Sequence, residues 1–583
     1  MDRRTFLVGT ARSLVLPGVG ALLGRAPDSA STWVTLVSRV GAARQEVVNL
    51  GLPFPPARLF DPACIHVADD RGREIVSAVR ILEVWRVPPG RQSAGVPASI
   101  QSVQVQFPVD LDDTRPVRVH IAVGKPRRSV SDRLVPLGET LIDAEGLKGP
   151  RVLPLLSADW LCASEVVGPQ TPAHVAGALS AYDRFVDRSF PGSLPYVDSD
   201  VYHHWLFDRS TAYSTQYVRT GERRFLEAAY HCAHFMRLHT ALEPPDAGMF
   251  TLKGADVKYV YPRAMHIHYL LTGDERALEA GKAMARFCLT RWEPEYRPNQ
   301  YVQPPLGVDP ELGRTFWSTR HQAYGLLGVL HGWEMTGDDI YSRRIREYID
   351  ALASHQAHPP DGRPPDGSWR QNWALYDPNE TLLAGAVSPW MTAILLSALF
   401  HTWRLTGDAR IPAMVTRWCD FLDRKAFTSD GSRVHYVVDC FGSDHLDDAS
   451  GGQEQGMERH STELAHSFAM GHFFSRDVRQ RARFQRRFER LFATAMTIDA
   501  NRPARCYNWA FQASSQLVYF MNQPRARGGT HRIHRALTGL SVFWPASRRS
   551  VGSSAGTVFA RPPGHALVPG IARPPRVPRP HHA

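Results

Sequence analysis

Four times this chain passes between helix-patterned stretches through nearly the same short turn. The copies read Arg219-Thr220-Gly221, Leu271-Thr272-Gly273-Asp274, Met335-Thr336-Gly337-Asp338 and Leu405-Thr406-Gly407-Asp408. The glycine suits the left-handed residue that ends a helix, and the aspartate after it can cap the next one. The spacings from threonine to threonine are 52, 64 and 70 residues. So short a turn makes its flanking helices antiparallel neighbours, so these are helical hairpins in series. Hairpins repeated over about 300 residues predict an (α/α) toroid.

The flanking stretches carry the matching period. Phe225, Ala228, Ala229, Cys232 and Ala233 recur at i, i+3, i+4, i+7, i+8, as do Met391, Ile394, Leu395, Ala398 and Leu399. Inner and outer helices are expected to pair as 208–219 with 222–240, 262–271 with 274–290, 318–335 with 339–355, 388–405 with 409–424, and 458–474 with 477–496. In the last pair Ser475-Arg476-Asp477 takes the place of the Thr-Gly-Asp turn. A helix near Tyr507–Phe520 could close the ring, which makes five to six hairpins.

Upstream the period changes to two. Cys64-Ile65-His66-Val67-Ala68, the turn Asp69–Gly72, Ile75–Trp85, the alternating Ser99–Phe107 and Arg118–Val123 read as strands, Ser99–Phe107 as one with a single buried face. The expected plan is a signal segment at 1–30, a small β-barrel or sandwich at 32–125, a Pro-rich connecting segment at 126–200, the toroid at 201–522 and a tail at 523–583.

The net charge of +11 suggests nucleic acid until it is located. From Met521 onward there are ten arginines and no acidic residue, so the rest of the chain is nearly neutral. A Pro/Gly/Ser/Arg-rich tail of this kind reads as disordered, and no nucleic-acid partner is expected. The opening Asp2-Arg3-Arg4-Thr5-Phe6-Leu7-Val8, followed by the moderately apolar Ser13–Leu23, resembles a twin-arginine export signal. The export machinery is therefore an expected partner, and a periplasmic or secreted location is expected. No stretch reaches 18 apolar residues, so no integral membrane association is expected. Seven cysteines with no CxxC give no zinc motif, and Cys232, Cys288 and Cys419 fall on apolar helical faces.

Gly51-Leu52-Pro53-Phe54-Pro55 with its following hairpin, and Trp317-Ser318-Thr319-Arg320-His321-Gln322-Ala323 running into Glu334-Met335-Thr336-Gly337-Asp338, resemble a known group. They are similar to exo-polysaccharide-lyase-like proteins, in which a small "RIFT barrel" precedes an α/α toroid. The group includes rhamnogalacturonan exolyase-like enzymes. Where the group carries Asp-Gly-Ser and an aromatic, this chain has Ala98-Ser99-Ile100-Gln101-Ser102-Val103. The resemblance implies a carbohydrate-active enzyme with its site in the toroid.

In a toroid the residues just before the inner helices line one funnel. Those positions are rich in Tyr, His, Arg and Trp: Tyr202, His203, His204 and Trp205; Tyr261, Arg263, His266 and His268; Trp317, Arg320 and His321; Asn372 and Trp390; His460; and Tyr507, Asn508 and Trp509. Elimination at a uronate requires a cation on the carboxylate, a base for the α-proton and an acid for the leaving oxygen. Arg320 or Arg263 suits the first, His321 or His266 the second, and Tyr261 or Tyr202 the third. Tyr202, His203, Arg263, Trp317, Asn372, Trp390, His460 and Trp509 are the expected contacts to an acidic polysaccharide or oligosaccharide. The rival chemistry, glycoside hydrolysis, requires paired carboxylates, for which Asp208, Glu380, Glu454, Glu458 and Glu463 are available. A non-catalytic glycan-binding protein is the third reading. No cofactor is expected. No metal is expected either, since His266 and His268, two apart on a helix, splay away from each other.

Overall fold

The computed structural model describes residues 30–523 apart from 87–97, 113–114, 132, 293, 295–317, 360–363, 373–383, 429–430, 432, 439–459 and 499–503. Seven strands come first: β1 (Ala30–Ser38), β2 (Ala43–Pro53), β3 (Ile65–Ala68), β4 (Ala78–Val84), β5 (Ile100–Leu111), β6 (Val117–Val123) and β7 (Val152–Leu155). They form two antiparallel sheets, ordered β3-β6-β1-β7 and β2-β5-β4. Among the described residues no ladder joins the two sheets, so the expected barrel is corrected to a two-sheet arrangement. Val34, Leu36, Val48, Leu50, Val103, Val105 and Ile121 fill its core.

The segment expected to be a connection supplies β7 to the first sheet, then α1 (Ala158–Ser164) and α2 (Ala181–Ser193). Twelve further helices follow: α3 (Arg209–Thr220), α4 (Arg223–Leu238), α5 (Pro262–Thr272), α6 (Glu275–Arg291), α7 (Thr319–Thr336), α8 (Asp339–Ala357), α9 (Pro389–Thr406), α10 (Arg410–Phe421), α11 (Ser461–Phe474), α12 (Val478–Thr497), α13 (Ala504–Gln512) and α14 (Leu517–Asn522). Helices α3, α5, α7, α9, α11 and α13 pack in succession, and α13 returns against α3. Each of the first five pairs with the helix that follows it. Helix α2 lies against α13, with Tyr182 edge-on to Phe511 and its hydroxyl 3.2 Å from the Ser514 hydroxyl. The inner helices are buried all round yet carry polar residues. In α3, Arg209, Thr211, Thr215, Gln216 and Arg219 are all buried, as expected of a helix facing a polar interior rather than solvent.

The Thr-Gly-Asp turn works as one hydrogen-bonded unit. Gly273, Gly337 and Gly407 take positive φ and end α5, α7 and α9. The threonine hydroxyl reaches back to the carbonyl four residues earlier, as in Thr272 to His268 at 2.7 Å. The same oxygen accepts from the aspartate N–H beyond the glycine, at 3.1 Å in Asp274 and Asp338. The carboxylate then caps the next helix, Asp338 accepting from Ile340 N at 3.0 Å. Each turn thus satisfies the end of one helix and the start of the next.

The expectation of a half-buried strand at Ser99–Phe107 is also corrected. Every residue from Ile100 to Phe107 is buried. Val103, Val105 and Phe107 enter the sheet core, while the polar face of β5 meets the C-terminal end of α5. Ser102 donates to the Leu270 carbonyl at 2.6 Å and Asn49 to the Thr272 carbonyl at 2.7 Å. Gln104 and Gln106 both donate to Asn49 Oδ1. Ser102 thus satisfies one helix-end carbonyl directly, and Gln104 and Gln106 brace Asn49 of β2, which satisfies another. Gly51 permits the approach, because a Cβ there would stand 2.2 Å from the carbonyl carbon of Leu271.

Candidate functional site

The chain reaches α3 through a strained corner. Phe207 has φ 75 and Asp208 φ 46, two consecutive non-glycine residues in the left-handed region. Four hydrogen bonds hold them there. Asn508 Nδ2 donates to the carbonyls of His204 and Leu206 at 2.9 and 3.0 Å. The Tyr261 hydroxyl accepts from Phe207 N at 2.9 Å, and Asp208 caps α3 by accepting from Thr211 N at 3.1 Å. The corner presents the Phe207 ring to the entry ends of α7 and α9 and to α13. It also buries the Asp208 carboxyl, and that burial pushes its pKa up to about 6 against the pull of its hydrogen bonds and of Arg263.

Around Phe207 the entry residues of α7, α9 and α11 converge with Trp509, the sixth residue of α13. The Arg320 guanidinium lies 5.6 Å from the Phe207 ring and 5.4 Å from that of Trp390. His460 stacks on Trp390 at 4.4 Å and 10°, and lies 4.8 Å from Trp509. Phe207 is 5.9 Å from both tryptophans. Tyr436 closes the group at 5.8 Å from Trp390. His460 Nδ1 is 3.0 Å from Glu463 Oε1, one turn into α11, so the carboxylate orients the imidazole and leaves Nε2 as its other nitrogen. Four buried polar atoms here have no hydrogen-bond partner among the described residues: Trp390 Nε1, Trp509 Nε1, Glu463 Oε2 and the Tyr324 hydroxyl. Tyr324 stands one turn along α7 from Arg320.

Other expected residues go elsewhere. Arg320 and His321 are adjacent, and the helix turns them apart. His321 stacks on Trp292 at 5.0 Å, with Nδ1 2.6 Å from the Ser318 hydroxyl and Nε2 3.8 Å from Asp256. Burial, then Lys258 and Arg320, hold its pKa well below the usual histidine value. Tyr261 spends its hydroxyl on Phe207 N and the Lys258 carbonyl, and burial raises its pKa well above the usual value. Arg263 donates to the Val167 carbonyl at 2.9 Å. Tyr202 sits on the rim, 40% exposed, with Lys253 over its ring at 4.5 Å, and His203 is exposed beside it. His266 lies in a separate buried cluster with His331 and Glu334. Trp317, the Asn372 side chain, Glu380, Glu454 and Glu458 lie outside the described residues.

Sequence reasoning missed three contributors. Phe207 carries no polar signal, and Tyr324 lies inside a helix rather than at its entry. Glu463 is available in the sequence as a hydrolytic carboxylate and as a neighbour of His460 at the helix entry, and its part in orienting the imidazole goes unseen although the spacing of three places both on one helical face.

No protein-family model and no curated protein matches this chain. Among solved structures, it is similar to a polysaccharide lyase at 11% identity, covering 60% of this chain and 100% of that one, TM-score 0.40. It is similar to a family 88 glycosyl hydrolase from Bacteroides vulgatus at 10% identity, covering 59% and 99%, TM-score 0.41. It is also similar to a sugar epimerase from a ruminal bacterium at 13% identity, covering 50% and 74%, TM-score 0.35. At such identities and TM-scores, what those proteins act on does not carry over to this chain.

Proposed function

We propose that this protein is an exported carbohydrate-active enzyme that cleaves a uronate-containing glycan by β-elimination at the Arg320–His460 cluster. The observation that carries the reading is the set of buried polar atoms from α7, α9, α11 and α13 that have no partner among the described residues, around an aromatic wall, a guanidinium and a carboxylate-oriented imidazole. Buried polar groups are nearly always paired, so a set of orphans in one place fits a polyhydroxylated ligand.

In this reading Arg320 pairs with the uronate carboxylate and makes the α-proton more acidic. His460 Nε2 takes that proton, and Glu463 stabilises the resulting imidazolium. The bond to the leaving oxygen breaks as the ring double bond forms, and the Tyr324 hydroxyl protonates the departing oxygen. Tyr324 replaces Tyr261 in the donor role because the Tyr261 hydroxyl is already engaged twice.

One observation favours a second reading. A carboxyl with its pKa near 6 is poised as a general acid, so Asp208 could serve hydrolysis. Mass spectrometry of products from acidic oligosaccharides tests the choice. Elimination leaves one fragment unsaturated, whereas hydrolysis adds a water across the cut; the sum of fragment masses distinguishes the two.

A further inference from the structure

We infer that His266, His331 and Glu334 form a binding site for a divalent transition-metal ion of the zinc class, supported by His401. Three inner helices supply it: His266 from α5, His331 and Glu334 one turn apart on α7, and His401 from α9. His266 Nδ1 stands 3.2 Å from His331 Nδ1, which stands 3.1 Å from Glu334 Oε2. All three donor atoms lie within 4.8 Å of one another. Tetrahedral zinc, with bonds of about 2.0–2.2 Å, places its donor atoms about 3.3–3.5 Å apart. Two of the three donor separations already stand close to that spacing, and the third lies within 4.8 Å.

Protons alone serve this arrangement badly. His331 Nδ1 faces both a second imidazole nitrogen and a carboxylate oxygen. If both Nδ1 atoms carry hydrogen, two N–H groups point at each other. If neither does, two lone pairs converge with a carboxylate. A single hydrogen on His266 Nδ1 leaves the His331 lone pair facing the carboxylate, and a single hydrogen on His331 Nδ1 is shared between two acceptors. One cation at the centre satisfies all three donors at once. The surroundings resemble an outer shell: His401 Nε2 lies 2.8 Å from Glu334 Oε2, and Arg86 Nε donates to the Glu334 carbonyl at 2.5 Å. The side chain of His401 is 14% exposed, which gives the cluster an edge toward solvent.

A second grouping, His234, His268 and Asp274, lacks these properties. Arg276 holds the Asp274 carboxylate at 3.0 and 3.1 Å, and His234 Nδ1 is 4.0 Å from it. His266 and His268 therefore belong to different clusters. Two histidines and a glutamate leave a fourth position open, the composition of reactive rather than structural zinc sites. His331 lies eleven residues beyond Arg320 on α7, about 16 Å along the axis, so this site stands or falls separately from the proposed elimination site.

The test uses the full chain without a histidine tag, stripped with chelator and titrated with Co2+ and Zn2+. The expected result is one equivalent taken up per chain, with the visible absorption of four- or five-coordinate cobalt. His331→Gln and Glu334→Gln lose that uptake with unchanged far-ultraviolet circular dichroism. His401→Gln leaves the donors in place and weakens zinc about 10- to 100-fold. His268→Gln binds as the parent does. A folded, stripped parent that takes up no stoichiometric metal overturns the inference. So does uptake that Glu334→Gln and His401→Gln both leave unchanged.

Discussion

Asp208 is the buried group whose ionisation most directly reports the strained corner. Its pKa is pushed from 3.8 up to about 6, with burial the leading cause. In the folded chain the carboxyl therefore holds its proton over a range where the unfolded chain has lost it. Between about pH 4 and pH 6 the native state binds the extra proton, so this group's contribution to stability falls as pH rises through that window. A rise of about two units corresponds to about 3 kcal/mol at neutral pH, of which about 2.5 kcal/mol develops between pH 4 and 7.5. Asp208→Asn keeps an oxygen to cap α3 at Thr211 N and removes the charge. Relative to the parent, the variant gains about 2.5 kcal/mol in unfolding free energy on going from pH 4 to pH 7.5, read by urea denaturation at each pH. A parent–variant difference that does not move with pH refutes the argument that burial outweighs the hydrogen bonds and Arg263 at this carboxyl.

Other outcomes follow from separate parts of the molecule. Gly51→Ala forces a methyl group into the α5 backbone and costs about 1–3 kcal/mol, measured by the same denaturation. Arg320→Lys keeps the charge but loses the planar fork between Phe207 and Trp390, and kcat/KM on an acidic glycan drops about 100-fold or more. Of the six described cysteines, none is in a disulfide, and alkylation of the native protein followed by peptide mapping labels only Cys64 among these six. Burial pushes the thiols of Cys162, Cys232 and Cys288 up to about 12 and that of Cys419 well above its usual value, and Cys506 is buried as well.

The hairpins were legible because one turn repeats. Thr220, Thr272, Thr336 and Thr406 each join two helices by local hydrogen bonds, and local chemistry leaves its mark in adjacent letters. The buried polar face of β5 was not legible. Ser102 and Gln104 alternate with valines as a solvent-facing edge would, and only partners distant in sequence explain them: an α5 carbonyl for Ser102 and Asn49 for Gln104. The same limit applied to the site. The helix-entry residues Arg320, Trp390 and His460 do meet around Phe207, because an inner ring brings its entry ends together, and Trp509 joins them from within α13, which starts earlier than the sequence suggests. Which of two neighbours faces inward depends on helix rotation, and Arg320 and His321 divided in a way their adjacency does not reveal. The His266–His331–Glu334 cluster draws on two helices far apart in sequence. Its one local element is the His331–Glu334 spacing of three, and nothing in the sequence singles His331 out.

The central claim is elimination at the Arg320–His460 cluster. The most direct test follows ultraviolet absorbance while the purified protein, and its His460→Asn variant, act on a panel of uronate-containing polysaccharides. The account predicts a rise from the conjugated unsaturated uronate with the parent on one of them, and its loss in a variant that still folds. New reducing ends without that absorbance contradict elimination, and an undiminished rise in the His460 variant contradicts the base assigned here.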